Sequence, residues 1–493
     1  MRVHMGGNRV LRKAWAGVAV GTMLSGLVCA GGNSAPQLPR QASEALPAMG
    51  SAQAGGISPF LGSVPQGTAT TDELPLSLAD VIARGLRYNL GPLLANQGSR
   101  AARGARLIAL SQLLPNIVTQ ASEASQQVNL AAFGFSGFPG IAPIIGPFSL
   151  SDARGYLSQP ILDFRAFRST GAAGEDIKAA DYAALDARDV VVLVATNLYL
   201  ETVAGASRVD AARTQVATAE AAYLQTLDFK QTGVVPAIDV LRAQVEFQAL
   251  QQRLIFFRNE FEKQKLALGR AIGLPDGQPL RLTDAVPFAP MPQLTLEEAV
   301  SRALSSRRDY QSAAAGVRAA ELRRKAAEAE RLPSLEFNGE YGIIGPSPAN
   351  SHGTYTAAVS LKIPIFQGGR VRGEVLEADA LLEQRRAQLA DLRGRIAYEV
   401  RTTFLDLNAA GELVQVARSA LNLAQQQLTQ ARDRFSAGVT NNLEVIQAQE
   451  AVATANENYI SGLYAFNAAK AALGRTIGNA EKTIPSFLQG VMP

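Results

Sequence analysis

The sequence predicts a mainly α-helical protein with a membrane β-barrel portion: a trimeric 12-stranded β-barrel continued by a 12-helix α-barrel, with two internal repeats per chain. Three observations lead there. The chain is written twice, each copy holds a pair of strands, and each copy holds helices of coiled-coil periodicity longer than a compact fold uses.

The elements follow in chain order. Residues 1–30 open basic (Arg2, Arg9, Arg12, Lys13), run apolar from Ala14 to Val28 and end on Val28-Cys29-Ala30, which suits signal peptidase; they are read as a signal peptide of a secreted chain. The alternative is lipidation of Cys29, which calls for a small residue just before the cysteine and usually leucine three before, where Val28 and Gly26 stand. The formal charge of +4 lies in this segment, which holds four of the 47 basic residues and no acidic one, leaving 43 of each sign. The mature chain is therefore neutral, and its charge gives no reason to expect nucleic acid. Cleavage after Ala30 also removes the only cysteine, and with it disulfides and thiol chemistry. No later segment reads as a membrane helix: the charge-free run from Val128 to Ser151 is broken by Gly134, Gly137, Pro139, Gly140, Pro143, Gly146 and Pro147.

Residues 31–72, rich in Gly, Ala, Ser, Pro and Gln, read as a flexible leader. Residues 73–273 form the first repeat, the proline-rich residues 274–293 a linker, 294–478 the second repeat, and 479–493 a C-terminal tail. LSLADVIARGL from Leu76 answers LTLEEAVSRAL from Leu294, and Leu114-Pro115-Asn116-Ile117 answers Leu332-Pro333-Ser334-Leu335 at the same offset. Gln159-Pro160-Ile161-Leu162 then matches Ile363-Pro364-Ile365-Phe366, GVVPAIDVLRAQ from Gly233 matches GVTNNLEVIQAQ from Gly438, and LGRAIG from Leu268 matches LGRTIG from Leu473.

Each copy is expected to open with one helix of about 35 residues, followed by a hairpin, a very long helix, a turn and a returning helix. In the second hairpin Leu335, Phe337, Tyr341 and Ile343 alternate with Glu336, Asn338, Glu340 and Gly342, and the run Tyr355 to Ile365 alternates likewise. About ten residues per strand cross an outer membrane at a tilt. The first hairpin, near Asn116–Gln127 and Leu150–Ile161, alternates poorly and brackets an apolar Gly/Pro-rich loop, Val128–Ser149. In the long helix Val400, Leu407, Val414, Leu421, Leu428 and Phe435 recur every seven residues, with Thr403, Ala410, Ala417, Ala424 and Ala431 between them. Val209, Ala212, Val216 and Ala219 repeat the seam in the first copy. A helix from Arg370 to Ser436 is about 100 Å long at 1.5 Å per residue. Four strands cannot close a barrel, for which about eight is the minimum, so chains must pool them; a trimer is the smallest assembly that leaves a channel.

Over about residues 73–478 these paired openings, Leu-Pro strand entries, strand exits ending in Phe366-Gln367-Gly368-Gly369-Arg370, and Gly-Val turns resemble the TolC-like outer-membrane efflux proteins, the outer membrane factor family. The resemblance implies a homotrimer with its β-barrel in outer-membrane lipid and its α-barrel in the periplasm. It further implies an exit duct for drugs, toxins or proteins, in a tripartite efflux or type I secretion system. Its partners would be a periplasmic adaptor (membrane fusion protein) and an inner-membrane transporter of the RND, ABC or MFS class. It places the periplasmic tip and adaptor docking at Gly233, Val234, Val235 and Pro236 and at Gly438, Val439, Thr440 and Asn441, with a pore constriction at Asp239, Glu444 and Gln447. Glu444, three copies per trimer, would form a cation-attracting ring; alternatively Asp239 and Glu444 only stabilise helix starts. Where the family pattern has a second acidic position, this chain has Gln447, and Arg242 in the first copy, which weakens a double acidic constriction.

Enzyme chemistry finds no support. The two histidines, His4 and His352, build neither a metal site nor a triad, and Gly368-Gly369-Arg370-Val371-Arg372-Gly373 lacks the spacing and lysine of a phosphate loop. No cofactor or metal is expected. The rival reading is a periplasmic coiled-coil scaffold or adaptor, which needs the heptads but not the strands; a secreted hydrolase ranks third.

Overall fold

The computed structural model describes residues 58–134, 140, 142–284, 288–290 and 294–489; the signal peptide, Cys29 and most of the leader lie outside them. The chain divides into two compact units, one with the hairpin turns (residues 121–152 and 344–352), the other with the remainder from residue 55 on.

Helices α1 (Leu78–Tyr88) and α2 (Leu90–Ser111) stand where one opening helix was expected, and α5 (Leu296–Ser306) and α6 (Arg308–Ala329) repeat the break. Sequence periodicity runs through both breaks because their causes are distant. Asn89, extended at φ −65° and ψ 142°, accepts from Gly91 N and donates to Phe60 O and Ala271 O at 2.8 and 2.9 Å. Arg307, extended likewise, is buried and bonds Asp309 and Glu399 at 2.7 and 2.5 Å. Buried polar groups require such partners, and both residues find theirs at the break. Capping boxes start α1 (Ser77 with Asp80) and α5 (Thr295 with Glu298).

Strands β2 (Asn116–Asn129), β3 (Ile144–Leu162), β5 (Ser334–Gly345) and β6 (His352–Lys362) form one sheet in the order β2-β3-β5-β6, so β2 and β6 are its free edges. The first pair, 14 and 19 residues, is longer than expected and takes in both ends of the Val128–Ser149 loop. β6 stops at Lys362, short of Ile365, ahead of Pro364, which has no N–H to give a ladder. A small parallel pair joins β1 (Leu74–Leu76) to β4 (Leu280–Leu282).

The long helices are α3 (Phe164–Gln231, 68 residues) and α7 (Arg370–Ser436, 67 residues), each returning as a 35-residue helix, α4 (Ala237–Ala271) and α8 (Asn442–Thr476). Their packing runs α4, α3, α8, α7, with α2 and α6 laid along α3 and α6 also along α7. The outer members α4 and α7 share no extended contact. Val400, Thr403, Leu407, Ala410, Val414, Ala424, Ala431 and Phe435 are buried, as the heptads require, and Ala417, Leu421 and Leu428 half-buried.

Three sequence expectations change. Residues 58–72 are tied down rather than loose: Val64 N donates to Tyr88 O at 3.0 Å, and Thr70 N to Gln278 Oε1 at 2.8 Å. The tail holds helix α9 (Ala480–Leu488), whose Ile484, Phe487 and Leu488 are buried while Asp189 accepts from Ala480 N at 2.9 Å. And α3 does contain a stretch long and apolar enough to cross a membrane; half of it is buried against the rest of the chain. Packing along α2, α4, α6 and α8 explains its composition without a bilayer.

Candidate functional site at the helical turns

Both long helices end in the same hydrogen-bonded turn. In the first, Val234 N donates to Phe229 O (2.8 Å) and Gly233 N to Lys230 O (3.0 Å); in the second, Val439 N donates to Arg434 O (2.9 Å) and Gly438 N to Phe435 O (3.0 Å). Each is a Schellman motif, which satisfies the last helical carbonyls and requires a left-handed residue just past the cap. Gly233 at φ +78° and Gly438 at φ +70° meet that requirement.

The two turns are brought together. Phe229 and Phe435 meet with ring centroids 5.7 Å apart, over a cluster of Val235, Leu428, Ala431, Val445 and Ala448. Buried Asn442 donates to Asp239 O at 3.4 Å, and Asn441 caps α8 by accepting from Leu443 N at 3.2 Å. Pro236 occupies the N-cap of α4 and makes no side-chain cap bond.

The three constriction candidates are placed differently. Asp239 is buried, and Arg242 holds its carboxylate at 3.1 Å. Glu444 is half-buried, accepts from the Thr440 hydroxyl and lies 3.5 Å from Arg434 at the end of α7. Gln447 is exposed. Both carboxylates sit in the first turn of a helix, where the backbone dipole favours an anion. Further along, burial and the Glu450 carboxylate on α8 push Glu246 above the usual carboxylate range.

Val234 and Val439 are exposed, and so are Ile238 and Leu443 in the helical turns that follow them. Sequence reasoning named the valines, placed Phe435 only in the heptad seam, and missed Ile238, Leu443, Phe229, Asn442 and Arg434. The aromatic pair carried a signal, since Phe435 continues the heptads; Arg434 carried none, because its pairing with Glu444 depends on how the turn folds back.

Residues 299–479 match the family model of outer membrane efflux protein. The chain is 21% identical to the alkaline protease secretion protein AprF of Pseudomonas aeruginosa over 356 residues, 68% of this chain and 72% of that one. It is 23% identical to the outer membrane protein TolC of Escherichia coli over 257 residues, which span 49% of this chain and 51% of TolC. The fold is also that of the CmeC outer membrane channel of Campylobacter jejuni, with TM-score 0.72 and 17% identity over 84% of this chain and 90% of that one. The fold is thus that of outer-membrane channels, and the second half of the chain resembles the outer membrane efflux proteins. The similarity to TolC agrees with the resemblance that the sequence motifs suggested.

Proposed function

We propose that three copies of this chain close a β-barrel in the outer membrane and an α-helical barrel in the periplasm. The assembly acts as the passive exit duct of a tripartite efflux or type I secretion system. One observation carries the reading: the sheet ends in two free edges, β2 and β6, and the helical layer in two more, α4 and α7. Different edges that must pair between copies make a head-to-tail interface, which closes into a ring. Three chains bring twelve strands, enough for a lumen, whereas two bring eight and a filled interior.

The helical edges are dressed for such pairing. Leu241, Val245, Ile255 and Phe256 are exposed on α4, and Tyr398, Leu405, Val416 and Leu423 on α7, although the seam residues beside them are buried. Apolar faces of this extent are uncommon on a solvated monomer. At the turns, Val234, Ile238, Val439 and Leu443 give a periplasmic adaptor an apolar surface, and an inner-membrane transporter would supply the energy. A coiled-coil scaffold would have no use for a four-stranded sheet with Tyr341, Tyr355, Val359 and Leu361 exposed on it.

The test is the mass of the detergent-solubilised protein by light scattering, together with conductance in planar bilayers. Three chains per particle and stable ohmic pores are expected. A monomer that remains soluble without detergent and opens no pores would overturn the reading.

A further inference from the structure

The ends of four helices meet where the strands hand over to the long helices. Glu330, just past α6, is paired with both Arg165 in the first turn of α3 and Arg370, the first residue of α7. Thr170 of α3 donates to Ala109 O near the end of α2 at 3.1 Å, and Gln159 of β3 to Leu113 O at 3.1 Å. This level of the molecule is rimmed by large apolar side chains that nothing covers among the described residues: Ile108, Phe164, Phe167, Leu332, Ile365 and Phe366 are all exposed, the last two 94% and 88%. Side chains of that size are costly to leave in water.

The same level carries surplus positive charge. Arg165 and Arg370 are matched by Glu330 and Glu374, and the Asp163 carboxylate caps α3 by accepting from Ala166 N at 2.9 Å. Arg168, Arg331, Lys362 and Arg372 are exposed and have no ion pair among the described residues, against one exposed carboxylate at this level, Glu336, which accepts from the Ser158 hydroxyl at 2.8 Å and likewise has no ion pair there. Exposed aromatic and aliphatic groups beside unmatched Arg and Lys are what the boundary of a bilayer selects: apolar bodies enter the acyl region while long basic side chains reach the headgroups.

We propose that this girdle binds anionic phospholipid headgroups of the leaflet facing the helices, with Arg168, Arg331, Lys362 and Arg372 as the headgroup contacts. The inference rests on the reading of the strands as membrane-crossing. It adds a lipid-class preference that the crossing does not require, since a barrel held by apolar burial alone accepts zwitterionic and anionic lipids equally. Four unmatched cations per chain imply a preference on the order of tenfold for an anionic over a zwitterionic headgroup at low salt, weakening as salt screens it.

The test uses the full-length protein reconstituted in phosphatidylcholine vesicles, with spin-labelled phosphatidylglycerol or phosphatidylcholine as reporters of lipid held at the protein surface. The unsubstituted protein should retain the phosphatidylglycerol label preferentially. The quadruple variant R168Q/R331Q/K362Q/R372Q should bring the preference near parity while its pores conduct normally. Removing four charges along the shaft of α7 instead, by R385Q/R401Q/R418Q/R432Q, should leave it intact. An absent preference in the unsubstituted protein, or one that survives in the quadruple variant, overturns the inference. So does its abolition by inorganic phosphate at constant ionic strength, which would mean a site for the free anion. Failure of the unsubstituted protein to insert and conduct in any bilayer is a different result, and overturns the membrane-crossing reading itself.

Discussion

Lys470 shows what a single residue contributes and why sequence did not reveal it. It lies on α8 with its ammonium fully buried, donating to Ala289 O at 2.7 Å and standing 5.1 Å from the Phe466 ring, and no carboxylate pairs with it among the described residues. Burial pushes it down to about 8 from an ordinary 10.5. Between these two values the unfolded chain binds more protons than the folded one, so stability rises as pH climbs from about 8 toward 10.5 and is lower below. Thermal unfolding followed by fluorescence should show that rise, worth roughly 3 kcal/mol at most across the window. Lys470→Met should flatten it, and an unchanged slope in the variant would assign the rise to another group. Nothing local marks this lysine, which sits in an alanine-rich stretch; its acceptor comes from the linker, 181 positions away. Glu246 is the opposite case. Its raised carboxyl favours the folded state at low pH and loses that advantage as pH rises through its folded value, so Glu246→Gln should raise the unfolding temperature at neutral pH and leave it unchanged in acid.

At the scale of elements, the sequence was most legible where a repeating pattern met a sharp terminator. The heptads and the Gly-Gly and Ala-Gly boundaries placed α7 at Arg370–Ser436, and the Gly-Val turns fell where both Schellman motifs stand. The breaks at Asn89 and Arg307 stayed hidden because their partners, Ala271 and Glu399, are remote in sequence. Gly438→Ala tests the turn directly: a left-handed alanine costs about 1 kcal/mol. Amide hydrogen exchange should quicken at Val439 and through the start of α8, with the middle of α7 unaffected; protection retained at Val439 would show that the turn tolerates the side chain. The pairing of Glu444 with Arg434 also refines the proposed cation ring, since a partner on the same chain cancels part of each carboxylate's field. Glu444→Gln should therefore lower cation selectivity in planar bilayers only modestly, and Arg434→Gln should raise it. Selectivity indifferent to both changes would leave the two residues a purely structural role at the start of α8.

For the molecule as a whole, the monomer buries its heptad seams and leaves a second set of apolar side chains along α4 and α7 in water. Two hydrophobic stripes on one helix are wasteful in a monomer but needed in a stave that touches a neighbour on each side. Sequence periodicity made the first stripe plain and obscured the second, because large residues off the heptad look like noise until the packing order α4, α3, α8, α7 shows which helices are at the edge. Val245 on α4 and Leu405 on α7 are both exposed in the single chain, so an aspartate at either should leave the chain's own fold intact. In the proposed ring each aspartate would be buried without a partner, forfeiting about 2 kcal/mol of apolar burial per site and adding the cost of desolvating the charge. Since the proposed ring would repeat every interface three times, Val245→Asp or Leu405→Asp should move the detergent-solubilised protein from three chains toward one, with helical content by circular dichroism unchanged. If both variants keep their full mass and conductance, α4 and α7 are not the edges at which copies meet, and the closure of the duct must be sought elsewhere on the chain.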